Sequence, residues 1–508
     1  MLFNSYAFLL VFLPLTIVAF LVARRVRGGR AAPLVLLAAS LVFYGYWNWR
    51  FLLLLLASIA ANFACSAQLL RSRTLVARRR ALIAGVAGNL ALLFWFKYAC
   101  FAARQLAAAT GIDLKLDDIV LPIGISFYTF QQIAYLVDVW RGETVDRDPL
   151  RYALYVTLFP HLIAGPIVHH REYAAQLPGV PTRPFAKDLA VGLTIFTIGL
   201  VKKVVLADSF ARTASPVFDA AARGLPPELV DAWLAVFAYG LQLYFDFSGY
   251  SDMAIGLGRM FGIVLPINFA SPYQARSIVD FWRRWHVTLS RFLRDYLYIP
   301  LGGNRRGPRR RLLYIAITML LGGIWHGAGW TFALWGMLHG AMLVAAHAWR
   351  QARLPALADP LARTLTLLGV MLAWVPFRAA DLSTTVSIWA ALVGVHGMGG
   401  AAPSVLAGLA KALAVRAPGF DWALAFALAV VGGGLGIALF APNTQTLLRH
   451  WQPGLPSPGY ESGIAERPAA SAPASWHPSW RTAALLGACL ATGLMMLNRA
   501  SEFIYFRF

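Results

Sequence analysis

The sequence predicts an all-α, multi-pass integral membrane protein, and three observations carry that expectation. Hydrophobic residues make up 59% of the 508 and charged residues only 13%, an apolar share well above that of a soluble domain. The apolar residues fall in runs long enough to cross a hydrocarbon core of roughly 30 Å. The arginines collect in the short connections between those runs, the positive-inside pattern. A formal charge of +22 taken alone would suggest nucleic acid, but no base-reading module is visible, so nucleic acid is not an expected partner.

The elements follow in order. Tyr6 to Ala23 is uncharged over 18 residues. Arg24, Arg25, Arg27 and Arg30 come after it, whereas a cleaved signal peptide would carry basic residues before it and a small-residue site behind it. A retained first helix with its N-terminus outside is expected. Ala31 to Trp49 and Phe51 to Leu70 are the second and third runs, and Arg71, Arg73, Arg78, Arg79 and Arg80 follow. Two basic clusters separated by two spans both face the cytoplasm. Further spans are expected near 81–103, 120–140, 189–207, 229–247, 312–349, 362–379, 420–440 and 482–498, roughly 11 to 13 membrane segments once half-helices are allowed. One membrane domain covers 1–508, with 452–480, rich in Pro and Ser, as an exposed and poorly ordered loop within it. Cys65, Cys100 and Cys489 lie singly in apolar runs, and His169 and His170 are adjacent and cannot chelate from one helix face. No disulfide framework, metal site or tightly bound cofactor is expected.

The middle third holds the ionisable residues that apolar surroundings do not explain. Ser277 to Leu301 has helical periodicity but too many charges to cross a bilayer. At about 100° per residue, Asp280, Arg284, Arg291 and Asp295 fall on one arc, with Asp280/Arg284 and Arg291/Asp295 as i,i+4 pairs. His286 lies outside that arc beside Trp282, Leu289 and Leu293. The expectation is one amphipathic helix near the interface or dipping into the protein, its histidine either a core residue bonded to a backbone carbonyl or a functional group. Arg305, Arg306, Arg309, Arg310 and Arg311 then form a cytoplasmic turn, either a topology determinant or a phosphate-attracting rim. From Leu312 to Ala348 the apolar run is too long for one span, and Gly322, Gly323, Gly327, Gly329, Gly336 and Gly340 interrupt it. Backbone unwound by such glycines is tolerated only where protein or a water-filled cavity covers it. His326 therefore lies beside a cavity, and a histidine at membrane depth marks a reaction centre or a permeation path. His339 lies about 220° from His326 on a continuous helix, so it need not share that pocket and is expected to pack.

The strings Tyr244-Phe245-Asp246-Phe247-Ser248-Gly249-Tyr250-Ser251-Asp252, Phe281-Trp282-Arg283-Arg284-Trp285-His286-Val287-Thr288-Leu289-Ser290 and Gly323-Ile324-Trp325-His326-Gly327 resemble the membrane-bound O-acyltransferase superfamily, within it the bacterial branch that serves alginate O-acetylation. Leu121 to Tyr128, Phe159 to Ile167, Gly199 to Val205 and the terminal Phe503 to Phe506 match in the same order, so the resemblance covers almost the whole chain except 452–480. It implies a ring of membrane helices, with re-entrant or interfacial helices, around a central funnel that nearly meets a cavity from the other side. It makes the position of His326 catalytic and that of His286 the second functional polar site. Trp325, Trp282, Asp246, Ser248, Tyr250, Asp252 and Ser290 are candidates to line the cavity, though the polar residues among them could equally tie helices together.

The expected activity is transfer of acetyl from cytosolic acetyl-CoA across the inner membrane to an extracytoplasmic polysaccharide such as alginate. Arg305, Arg306, Arg309 and Arg310 would meet the donor's phosphates. Periplasmic acetyltransferase or SGNH-hydrolase-like proteins are the expected partners. Two alternatives stay open: transfer of D-alanyl or another acyl group to an envelope polymer, and a transporter with a histidine proton relay. Against the latter, no inverted repeat is visible.

Overall fold

A computed structural model describes residues 1–26, 29–112, 114–116, 119–180, 185–398, 422–456 and 476–497. These are predominantly helical, and the one extended pairing among them is a bridge between Pro266 and Leu455. The helices used below are α1 (Leu13–Arg24), α2 (Ala31–Gly45), α3 (Trp49–Arg71), α4 (Leu75–Thr110), α5 (Ile125–Arg141), α6 (Phe185–Val201), α7 (Asp208–Ala222), α8 (Leu229–Met260), α9 (Ile278–Arg284), α10 (Val287–Leu293), α11 (Pro308–His326), α12 (Trp330–Gln351), α13 (Asp359–Arg378), α14 (Leu382–Leu392), α15 (Trp422–Phe440) and α16 (Trp480–Met496). Among the described residues, six helical stretches are long and apolar enough to cross a membrane by length and composition, and four shorter apolar helices accompany them. The chain is a multi-pass membrane protein. The expected loop at 452–480 lies largely outside the described residues, as does Phe503 to Phe506. The loop's flanks are pinned: Leu455 exchanges backbone bonds with Leu265 and Ile267, and Trp451 donates to the Trp476 carbonyl at 3.1 Å.

At the centre lies α8, buried along almost its whole 32 residues. The span expected to end near 247 runs on as helix to Met260, its charges neutralised by Lys202, Lys203 and Asp188 of the preceding elements. A π-turn, Lys202–Ala207, joins α6 to α7, and its two lysines both reach α8. Lys203 pairs with Asp246 at 2.7 Å and with Asp208 at 2.9 Å, and Lys202 pairs with Asp252 at 2.6 Å. Arg259 of α8 meets Asp188 of α6 at 3.0 Å. Truncating one partner of such a pair leaves a buried charge exposed to a medium that cannot solvate it, a cost of about 3–5 kcal/mol. Glycines let the two helices approach closely: a β-carbon on Gly199 would come within 2.5 Å of the Gly249 carbonyl, and one on Gly192 within 2.6 Å of the Gly256 carbonyl.

Two expectations about the middle third are corrected. The Ser277–Leu301 stretch is not one helix. It breaks at His286, whose φ of 42° and ψ of 55° are left-handed, leaving α9, α10 and a π-turn, Arg294–Tyr298. α10 is buried at all of its residues but Ser290, and α9 buries Ile278, Phe281 and Trp282, so this segment dips into the protein. The run from Leu312 to Ala348 is an antiparallel hairpin, α11 turning at Gly327–Gly329 into α12. A β-carbon on Gly323 would strike the Phe332 carbonyl, and one on Gly336 would meet the Met319 carbonyl at 2.5 Å. His326 and His339 therefore sit on two facing helices, and the angular argument for a continuous helix does not apply.

The basic connections gather on one face. Arg78 donates to the Trp140 carbonyl at 3.0 Å, and Arg141, at the end of α5, donates to the Asp295 carbonyl at 3.1 Å. This places the Arg71–Arg80 cluster on the same side as the turn that leads to Arg305, as the positive-inside reading requires.

Candidate active site

His326 is the last residue of α11 and is 4% exposed. Its ring lies among Trp325 (4.9 Å between centroids), Trp335 (5.0 Å) and Phe377 (5.2 Å). Trp325 is itself stacked on Phe130 at 4.9 Å. One run of ring contacts links three histidines from α11, α12 and the α9–α10 break: Trp335 adjoins both His326 and His339 and stacks on Trp374, Trp374 lies 4.9 Å from Trp285, Trp285 lies 5.1 Å from Phe269, and Phe269 stacks on His286 at 6.4 Å.

His286 is fully buried, its ring edge-on to Phe247 of α8 at 4.7 Å. Its Nδ1 lies 3.0 Å from Asn268 Oδ1. That oxygen also accepts from the Thr288 amide and hydroxyl, at 3.3 and 2.9 Å. A backbone N–H can only donate, so the Asn268 atom is the carbonyl oxygen and Nδ1 carries the hydrogen. The neutral ring then holds its lone pair on Nε2, the form a proton acceptor needs. Thus the expected partner, a backbone carbonyl, is replaced by an asparagine side chain.

His339, also fully buried, accepts from Trp282 Nε1 at 3.3 Å and packs 4.7 Å from Trp335. It packs as expected, yet through Trp335 it adjoins the His326 ring. Trp335 and Trp374 stack at 5.8 Å and close the aromatic wall. Sequence reasoning missed both, since tryptophans in apolar helices look like core.

The remaining sequence candidates divide. Trp325 and Trp282 join the histidines. Asp246 and Asp252 are bound by Lys203 and Lys202, and Asp252 also accepts from Thr444 at 2.6 Å and Gln445 at 3.1 Å. These contacts tie α8 to the Lys202–Ala207 turn and to Thr444 and Gln445. Ser248 is buried within α8, Tyr250 stacks on Phe3 at 4.9 Å, and Ser290 donates to the Trp285 carbonyl at 3.4 Å.

On the basic face a cavity of about 890 Å³ is lined by four arginines, Arg141, Arg171, Arg294 and Arg305, and by two carboxylates, Glu143, which pairs with Arg141 and Arg171, and Asp295, which pairs with Arg294; His169 and Tyr296 line it as well. Of the four arginines expected at a phosphate rim, the structure brings only Arg305 to this cavity. Arg306, Arg309 and Arg310 are exposed outside its lining, and Arg141, Arg171 and Arg294 line it with Arg305. Tyr296 donates to Asp138 at 2.7 Å and lies 3.1 Å from His169 Nδ1, a buried network beneath the arginines that spacing in the sequence does not reveal.

Membrane helices that bring buried histidines together, with a basic cavity on one face, fit a reaction centre or a permeation path. The chain belongs to the membrane-bound O-acyltransferase family: the family's model matches residues 42–389, a span that contains all three histidines, and the protein is an O-acyltransferase. It is 40% identical to the peptidoglycan O-acetyltransferase of Helicobacter pylori, over 78% of this chain and 81% of that one. It is 44% identical to the probable alginate O-acetylase AlgI of Azotobacter vinelandii, over 77% and 78%. Similarity to the teichoic acid D-alanyltransferase of Streptococcus thermophilus is 30%, over 45% of this chain and 57% of that one.

Proposed function

We propose that this enzyme, in the inner membrane, moves acetyl groups from cytosolic acetyl-CoA to hydroxyls of an extracytoplasmic polysaccharide, with His326 as the catalytic histidine and His286 as the second functional group. The observation that carries this is that His326 and His286 are both buried on one connected aromatic network, with His286 held by Asn268 in the Nδ1-protonated form. A neutral imidazole there accepts the proton of an acceptor hydroxyl as its oxygen attacks the thioester carbonyl. The C–S bond breaks, and the proton passes to the departing thiolate. In the relayed form, the imidazole nitrogen attacks the thioester carbonyl, the C–S bond breaks and the thiolate takes the ring proton; the hydroxyl oxygen then attacks the acetyl carbonyl, the C–N bond breaks and the hydroxyl proton returns to the ring. A thioester is already activated, so the enzyme's task is positioning and proton transfer.

The arginine-lined cavity suits the donor's phosphates. Acetyl is favoured over D-alanyl because the O-acetyltransferase relatives align over 77–78% of the chain and the D-alanyltransferases over 44–45%. Hydrolase-like periplasmic proteins would complete delivery to the polymer. The test is cell-surface acetyl content at matched protein levels. His326→Ala is expected to lower it by about 10²- to 10⁴-fold with thermal unfolding in detergent unchanged. His286→Ala is expected to be severe as well, and His339→Ala to act mainly through folding. A folded His326→Ala protein that acetylates at the wild-type rate would overturn the assignment.

A further inference from the structure

We propose that Lys97 is a positioning residue for the reaction, holding His326 by capping the end of α11; this rests on the catalytic assignment of His326. Most of α4 faces outward, with Phe94 and Trp95 each 52% exposed, so a lysine next to them needs a compensating partner at membrane depth. The Lys97 ammonium turns inward to the carbonyls of Trp325 at 2.6 Å and His326 at 3.0 Å. It also lies 3.4 Å from Ser126 Oγ of α5. The adjacent Tyr98 donates to the carbonyl of Ile324 at 2.9 Å. Two consecutive residues of α4 thus satisfy three consecutive carbonyls in the last turn of α11.

These are the carbonyls that a helix end leaves without intrahelical partners. The ends of α4 and α5 are closed by left-handed glycines, Gly111 and Gly142, whose amides bond back into the helix. α11 instead runs into Gly327 in extended conformation, φ −165° and ψ 153°, and the following turn is tight. A cation facing the negative end of the helix dipole, with charge-assisted bonds to two carbonyls, replaces the glycine cap. It does so at the residue whose side chain has to be placed. Helix ends fray, and a displacement of about 1 Å at a reacting group can cost 10²-fold in rate. Ser126, on α5, gives the ammonium a third partner, so the last turn is tied to both α4 and α5.

The experiment uses inverted inner-membrane vesicles of the native cells carrying the full chain, fed labelled acetyl-CoA, with ester label on the enclosed polymer as the readout. Lys97→Met is expected to lower apparent kcat by about 10- to 100-fold with the donor KM within twofold of wild type. Lys97→Arg, which keeps the charge, should recover most of the loss, and Tyr98→Phe should lower kcat less than Lys97→Met does. If Lys97→Met does not accumulate, Lys97→Gln, which keeps a donor without the charge, carries the same expectation. A folded Lys97→Met or Lys97→Gln protein with wild-type kcat overturns the proposal, as does a rise in KM alone, or failure of Lys97→Arg to recover activity at wild-type stability. His326→Ala in the same vesicles separates the two claims: if it transfers normally, the catalytic assignment and this inference fall together. If it is inactive while Lys97→Met is normal, only the inference falls.

Discussion

At His286 the same residue holds both backbone and ring. The Asn268 carbonyl accepts from the Val287 amide at 3.0 Å, and its side-chain oxygen takes His286 Nδ1 together with two groups of Thr288. The Thr288 hydroxyl in turn accepts from the Ile167 amide at 3.1 Å. A non-glycine residue at φ 42° costs about 1–3 kcal/mol and persists only when its surroundings over-determine it, which is what this network does. Asn268→Ala removes one oxygen and strands three buried donors. Its expected effect is about 1–3 kcal/mol of stability and a loss of acyl transfer larger than that destabilisation explains, since the His286 tautomer is no longer set. Detergent unfolding and surface acetyl content measured together check this. An unchanged melting point with full activity would show that the ring is oriented elsewhere. The two histidines are legible in the sequence because each is an ionisable group in an apolar run. Lys97 obeys the same rule, yet 229 residues separate it from His326, and spacing alone cannot pair them.

At the scale of elements, the α11–α12 hairpin places His326 through glycine contacts. Gly323→Val would drive its side chain into the Phe332 carbonyl and the Gly336 backbone, an overpacking cost of about 1–3 kcal/mol. It should also shift the last turn of α11 and depress transfer. Gly432→Ala in α15 meets open space and should be neutral or slightly stabilising, as alanine is the better helix former. Comparing the melting points of the two proteins checks the argument, and equal values would refute it. The glycines were readable as signs of close approach or unwinding. Which neighbour each one meets was not, because that depends on a turn of three residues rather than on periodicity. The left-handed break at His286 was likewise hidden, since an amphipathic pattern continues across it undisturbed.

For the whole molecule, one face gathers the basic connections and the arginine-lined cavity. Single cysteines placed in 71–80 and in 305–311 should both be labelled from the cytoplasm and protected from an impermeant reagent outside. Labelling of either from the periplasm would reverse the orientation. If the cavity holds the donor, acetyl-CoA affinity of the purified protein should fall as salt rises, because exposed arginines are screened within about 8–10 Å near physiological ionic strength. Arg294→Ala should weaken binding and flatten that salt dependence, whereas Arg309→Ala and Arg310→Ala should leave both unchanged. Equal effects from all three would return the phosphate site to the original arginine turn.

The fold class, the order of the membrane runs and the two candidate histidines are properties of local sequence: hydrophobic length, arginine placement and an ionisable group among apolar neighbours each act over a few residues. The extent of α8 to Met260, the recruitment of Asp246 and Asp252 by Lys203 and Lys202, the hairpin that brings Trp335 of α12 beside His326 of α11, and the Lys97 cap on α11 belong to the tertiary structure. The physical reason is common to all of them. In a medium that cannot solvate charge or open backbone, every polar group must find a partner, and those partners come from helices far away in the chain.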